Sequence, residues 1–133
     1  MSRFDWGKFI SMIIGNVNAN REAIIQIAVL GDYKNIKSVK AVIDTGYTGD
    51  LMLSRAIINE LGLTLRGLQD AILGDGSLTM FEMYAGSVIW DGQIRRAEIN
   101  ASETELLIGM GLLEEYKLEI EGRVGGIVKI SAL

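Results

Sequence analysis

The chain has 133 residues, of which 13 are basic and 17 acidic, so its formal net charge is −4. This length favours a single domain with an ordinary core, and the hydrophobic content of 49 % agrees with a globular protein. Histidine, cysteine and proline are all absent, which excludes histidine-dependent nucleophiles, disulfides and ordinary structural zinc sites. The acidic balance also argues against nucleic acid as the main partner. Any catalysis would therefore depend on carboxylates, hydroxyls, lysine or an oxygen-bound metal.

The apolar pattern argues against a membrane-spanning segment. The longest stretch without a charge, residues 9–20, has 12 residues and contains three asparagines, whereas a spanning helix needs about 20 mostly apolar residues. A secretory signal is not expected either, because the apolar run over residues 9–14 is short. We therefore expect a cytoplasmic protein without a membrane partner.

The elements predicted in the first half of the chain are two strands and a helix. Residues 22–30 and 36–43 are rich in β-branched side chains, which favours strands. Ser54 is a suitable N-cap for a helix over residues 55–61, with Ile57 and Leu61 on one face and Gly62 as its end.

The second half of the chain predicts hairpins and short strands. Gly-Asp-Gly at residues 74–76 follows the apolar residues 71–73, and Asp-Gly at residues 91–92 joins residues 87–90 to 93–99; Asp-Gly is a strong hairpin signal. A second short helix is expected over residues 110–115. Apolar side chains alternate along residues 116–120, which predicts a half-buried strand, and a last strand is expected over residues 124–130. The predicted fold class is mainly β, a small barrel or sandwich with one or two short helices and no internal domain boundary.

Asp44 is the carboxylate that the pattern singles out. It follows the apolar residues 39–43 and precedes Thr45 and Gly46, at the point where a predicted strand ends. An aspartate in this position can simply accept hydrogen bonds from turn amides, with glycine allowing the tight turn. The tripeptide alone does not separate that structural role from a catalytic one.

Two motifs in a fixed order resemble one protein family. Residues 41–49, Ala-Val-Ile-Asp-Thr-Gly-Tyr-Thr-Gly, resemble the catalytic loop of the retroviral-type (retropepsin-like) aspartic proteases, and more closely that of their small bacterial relatives. Leu107-Ile108-Gly109 is similar to the second motif of this family, in which a glycine packs beneath the loop. The resemblance spans about residues 12–130. It implies one protease domain over residues 12–133, preceded by an extension of residues 1–11.

The resemblance implies a fold and a role for each motif residue. The fold would be a small closed β-barrel that acts as a homodimer, in which one Asp44 from each subunit meets the other at the symmetry axis. Thr45 would brace the loops across that axis, Gly46 would let the backbone approach an extended peptide substrate, and Ile108 and Gly109 would support the loop. The flap over the substrate would be the turn at Gly74, Asp75 and Gly76, while Tyr47 would line a substrate pocket or cap the core.

The sequence departs from the family pattern after the tripeptide, where Tyr47, Thr48 and Gly49 stand in place of the small residue and acidic residues usual in retroviral members. Met110 stands where a polar residue or arginine is common, which leaves the brace at that point unassigned. The apolar residues 127–133 would complete a sheet between subunits or form a plain edge strand. Residues 1–11, with Phe4, Trp6 and Phe9, would dock on the body as a short helix or form an arm that binds a partner.

The predicted function is therefore an aspartic endopeptidase that needs no cofactor and no metal. The acidic residues outside the motif do not follow the spacing of a calcium-binding loop. One alternative is a non-catalytic dimeric module of the same fold that binds an extended peptide. Another is a monomeric β protein with an ordinary ligand pocket.

Overall fold

The computed structural model describes residues 12–72 and 75–133. The predicted extension of residues 1–11 and the predicted flap residue Gly74 lie outside the described residues. The described chain is mainly β, as predicted. Its strands are β1 (Ile13–Val17), β2 (Ala23–Leu30), β3 (Ile36–Ile43), β4 (Leu51–Ser54), β5 (Thr64–Ile72), β6 (Leu78–Trp90), β7 (Gln93–Ser102), β8 (Leu107–Ile108), β9 (Tyr116–Ile120) and β10 (Ile127–Ala132), and its helices are α1 (Arg55–Leu61) and α2 (Met110–Leu113).

Helix α1 has the boundaries predicted from its capping residues. The Ser54 hydroxyl accepts a hydrogen bond from the Ile57 backbone N–H at 3.4 Å, and Gly62 adopts the left-handed conformation (φ 66°) that ends a helix. The helix buries Ile58 and Leu61 in the core. Helix α2 has four residues and is therefore shorter than predicted.

The strands form one sheet whose pairings close on themselves. Their order is β5-β6-β7-β4-β8-β3-β2-β1-β10-β9, and β6 also pairs with β2. The strands β6, β7, β4, β8, β3 and β2 therefore form a closed ring of pairings. The core cluster draws on this ring, on both helices and on β10; its fully buried side chains include Ile25, Leu51, Val88, Ile99 and Leu112.

Strand β8 lies between β3 and β4, and this placement builds the candidate site. β3 runs parallel to β8, with Ile43 opposite Ile108, and β4 runs antiparallel to it, with Leu51 also opposite Ile108. The connection over residues 44–50 therefore closes around the end of β8, where the chain continues into Gly109. Two segments about 60 residues apart in the sequence meet in this way.

Both predicted hairpins are present, and the first is longer than expected. Ile72 pairs with Leu78 at the end of the β5–β6 hairpin, and Trp90 pairs with Gln93 at the end of the β6–β7 hairpin. The short apolar segment at residues 71–73 predicted only the end of β5, because the rest of this strand carries polar and charged residues on an exposed surface.

The C-terminal strand differs from both sequence expectations. It begins at Ile127 rather than residue 124, and it lies between β1 and β9, paired with both. It is therefore neither an edge strand nor free to complete a sheet between subunits. The reason is β1, which pairs with β10 through Ile13 and Ile130. The sequence does not predict β1, because Gly15-Asn16 interrupts its apolar pattern. Among the described residues, no helix is long and apolar enough to cross a membrane.

Candidate active site

Asp44 directly follows β3, and hydrogen bonds to neighbouring backbone groups hold both its main chain and its side chain. Its N–H donates to the Ile108 carbonyl at 2.9 Å, and its carboxylate Oδ1 accepts from the Gly46 N–H at 2.9 Å. A Cβ on Gly46 would lie 3.2 Å from this carboxylate oxygen, so glycine leaves room for the half-buried acid. The hydrogen bond from Gly46 also occurs in ordinary turns, so it does not by itself distinguish a catalytic aspartate from a structural one. The residues around Asp44 must make that distinction.

Gly109 lies directly beneath the Asp44 loop. A Cβ at this position would be 2.2 Å from the Gly49 carbonyl oxygen and 2.6 Å from the Tyr47 carbonyl oxygen. Three further backbone bonds join the two segments: Gly109 N–H to Asp50 O, Met110 N–H to Tyr47 O and Gly111 N–H to Gly49 O, at 2.8–3.0 Å. This contact ties residues 44–50 to the segment that begins α2.

The Tyr47 side chain turns under its own loop. Its hydroxyl donates to Asn100 Oδ1 at 2.6 Å, with the Leu51 carbonyl at 3.2 Å, and its ring lies against Gly49 and Gly109. Burial, together with the nearby carboxylates of Asp50 and Glu98, raises the pKa of Tyr47 above its ordinary value. The hydroxyl therefore stays protonated, and the ring both supports the loop and lines the groove above it.

Asp44 opens onto a cavity of about 560 Å³ between its loop and the β5–β6 hairpin. Four carboxylates line this cavity, those of Asp44, Asp50, Asp70 and Glu98, and among the described residues no lysine or arginine lines it. The resulting negative potential attracts cationic groups. Within the described ranges, no three acidic side chains converge into a group that could hold a metal ion.

The structure brings some of the sequence-predicted site residues together and places others apart. Asp44, Gly46 and Tyr47 line the cavity, and the hairpin contributes Gln69, Asp70, Ile72 and Phe81. Thr45 is exposed and is outside the cavity lining. Asp75 and Gly76 form the exposed turn of the hairpin, where the Ser77 hydroxyl and N–H donate to Asp75 Oδ1 and lower the pKa of Asp75. These two residues are also outside the lining of the cavity.

Three residues of the site had no signal in the sequence. Asn100 and Gln69 line the cavity from β7 and β5. Arg95, also on β7, donates from its two terminal nitrogens to the carbonyls of Leu112 and Gly111, at 2.9 and 3.0 Å. A guanidinium from β7 therefore braces the segment after Gly109.

The described strands form a mainly β fold in which the Asp-Thr-Gly loop packs over an apolar-apolar-Gly segment. No family model matches the chain, and no curated protein matches its sequence. Among solved structures, the crystal structure of a retropepsin-like aspartic protease from Rickettsia conorii is similar, with a TM-score of 0.57 and 20 % identity over 92 % of this chain and 94 % of that chain. Identity at this level establishes the shared fold alone, so the retropepsin-like fold predicted from the two motifs is confirmed, while the closed barrel and the homodimer stay predictions.

Proposed function

We propose that this protein is an aspartic endopeptidase of the small single-motif type, which hydrolyses peptide bonds as a symmetric homodimer. The observation that carries the proposal is the position of Asp44, half-buried at the end of β3 and facing a groove between its loop and a long hairpin. Because each chain supplies one such loop, the reaction would use Asp44 and Asp44 of the partner subunit. Catalysis would then require the dimer.

The chemistry follows from placing two carboxyl groups side by side. At about 3 Å and an effective dielectric constant near 20, two negative carboxylates repel by about 5 kcal/mol, equivalent to about 4 pKa units. The pair would therefore share one proton and titrate as a unit. The ionised Asp44 takes a proton from a water molecule whose oxygen attacks the peptide carbonyl, and the protonated one donates to the carbonyl oxygen. Collapse of the tetrahedral intermediate, with proton transfer to the nitrogen, releases a carboxylic acid and an amine.

We propose that the groove binds an extended peptide segment. It lies between the loop and β5–β6, so a peptide in it would run beside strand backbone, a common mode of peptide recognition. We propose a protein or peptide substrate, no nucleic acid or membrane partner, and action in the cytoplasm. The carboxylate lining favours substrates with lysine or arginine near the cleaved bond.

Replacing Asp44 tests the proposal directly. Asp44→Asn removes the group that accepts the proton from water, so cleavage of unfolded casein between pH 4 and 7 should fall about 10³-fold or more. The matched control is Asp32→Asn, an exposed aspartate outside the groove, whose activity should equal that of the wild type. Full activity in Asp44→Asn, or no activity of the wild type across this pH range, would contradict the proposal.

A transition-state analogue separates the enzyme from a module that only binds peptides. A statine-containing peptide imitates the tetrahedral intermediate, and an enzyme should bind it much more tightly than Asp44→Asn does. Equal binding by both forms, without cleavage, would instead support the non-catalytic module of the same fold.

A further inference from the structure

Asn100 is the only buried polar or charged residue among residues 12–72 and 75–133, with 5 % of its surface exposed. Its neighbours Ile99 and Ala101 are buried in the core. Side chains alternate along a strand, so Asn100 faces the other side of the sheet, where the Asp44 loop and β5 cover it. Burying an amide costs about 1–3 kcal/mol unless its hydrogen bonds are satisfied. An apolar residue would avoid that cost at this position.

Both ends of the Asn100 amide have partners, and the two partners belong to opposite walls of the groove. Its Oδ1 accepts from the Tyr47 hydroxyl at 2.6 Å, and its Nδ2 donates to Gln69 Oε1 at 3.4 Å. Tyr47 belongs to the Asp44 loop and Gln69 to β5, and both line the cavity. Asn100 therefore links the loop to the hairpin across the floor of the groove.

The Tyr47 end of this link leads directly to Asp44. The Tyr47 N–H donates to the Asp44 carbonyl at 3.1 Å, and the Tyr47 carbonyl accepts from the Met110 N–H at 2.8 Å. A displacement of the tyrosine ring therefore acts on the turn that orients the Asp44 carboxylate. The pKa of Tyr47, raised by burial, keeps its hydroxyl a donor to Asn100 at any ordinary pH.

We infer that Asn100 is a positioning residue that couples the orientation of the Asp44 loop to the position of the β5–β6 hairpin over the groove. A contact that fixes the hairpin would thereby also fix the loop, and a broken link would leave the two walls to move separately. The kinetic consequence of this coupling rests on the proposed function, whereas the coupling itself does not.

Hydrogen exchange tests the coupling without any assay of activity. Tyr47→Phe removes one hydroxyl from the loop, and amide exchange in residues 64–72 of the hairpin should become about tenfold faster. Tyr116→Phe is the matched control, because it removes a half-buried hydroxyl that bonds Asp91 away from the groove, and it should leave the hairpin unchanged. Unchanged exchange in the hairpin of Tyr47→Phe would overturn the inference.

Kinetics supply the second test, with kcat and KM expressed per active site titrated by a statine inhibitor. Tyr47→Phe and Gln69→Met each break the link once, so each should lower kcat/KM about tenfold, and the double variant should lower it about tenfold rather than a hundredfold. KM should rise in all three, which a mere loss of folded protein would not cause. Gln69→Glu keeps the accepting oxygen and should return KM to the wild-type value for a substrate without charged residues near the cleaved bond, so that the added carboxylate does not itself change binding.

The outcomes separate the inference from the proposed function. Additive losses near a hundredfold in an active enzyme would overturn the coupling and leave the protease assignment intact. Faster hairpin exchange in Tyr47→Phe, combined with a wild type that cleaves no peptide, would support the coupling and contradict the protease. Gln69 is exposed, so Gln69→Met should fold even if Tyr47→Phe does not. In Gln69→Met, we expect the loop amides 45–49 to exchange faster than in the wild type. Loop exchange equal to that of the wild type would overturn the inference.

Discussion

Gly109 is the residue with the least room for a side chain at the candidate site. A Cβ there would lie 2.2 Å from the Gly49 carbonyl oxygen, which belongs to the backbone of the Asp44 loop and cannot rotate away. Gly109→Ala should therefore lower the free energy of unfolding by about 2–3 kcal/mol, measured by urea denaturation. Because the displaced atoms belong to the loop, the variant should also lose the cleavage activity proposed for Asp44.

Gly122→Ala is the control for this substitution. A Cβ at Gly122 would meet nothing within 4 Å, and alanine restricts the unfolded chain, so stability should be unchanged or rise by up to about 1 kcal/mol. Equal effects of the two substitutions would show that the close contact beneath the loop is not what holds the site.

Single residues of the site could be predicted only where they belong to a motif of consecutive residues. Asp44, Gly46 and Gly109 stand in contiguous motifs, and such motifs can be recognised without knowledge of the fold. Asn100 could not be found in this way, since it follows Glu98 in an alternating strand and therefore resembles an exposed position. Only the tertiary fold places Tyr47 and Gln69 over it.

At the scale of elements, the stability of helix α2 depends on a side chain from strand β7. Arg95 donates to two carbonyls of this four-residue helix, which is too short to be stable alone. Arg95→Met keeps most of the apolar stem and removes both donors, so the free energy of unfolding should fall by about 2 kcal/mol.

The adjacent arginine provides the comparison for Arg95. Arg96 is exposed on the same strand, and Arg96→Met should change stability by no more than about 0.5 kcal/mol in the same urea titration. If the two variants were equally stable, the bonds to α2 would contribute nothing, and the brace at this point would have to come from elsewhere.

Elements with complete local signals were predicted with nearly correct boundaries. Helix α1 has an N-cap and a terminal glycine, and β2 and β3 are continuous β-branched runs. Strands β1 and β8 were not predicted because β1 contains Gly15-Asn16 and β8 has only two residues. Such segments become strands because long-range partners satisfy their backbone groups. Most of β5 was missed for the same reason.

At the scale of the whole molecule, the fold class could be predicted, whereas the closing pair β2–β6 and the position of β10 could not. Strand pairing over long sequence distances has no local signal, and the family resemblance supplied only the general arrangement. The position of β10 has a consequence for the proposed dimer. Because both of its sides are occupied within the chain, the subunits would have to meet through other surfaces around Asp44.

We propose that such a dimer covers a second cavity, whose lining reaches the residue before Asp44 and combines apolar side chains with Arg21, Glu22 and Arg123. It holds about 490 Å³ and includes Val42 and Ile43, which immediately precede Asp44, together with Ile120 and Val124. Val124 is 58 % exposed, so Val124→Asp should leave the subunit folded while placing a charge in the interface. We expect the dimer dissociation constant to rise at least tenfold, measured by sedimentation velocity over a range of concentrations, with a parallel loss of activity at low concentration.

Ile94→Asp is the control, because Ile94 is 70 % exposed and lines a different cavity, beside Arg66 and Arg96. Dimerisation of Val124→Asp as tight as that of the wild type would contradict this placement of the interface, and a wild type that stays monomeric even with a statine inhibitor bound would contradict the dimer itself.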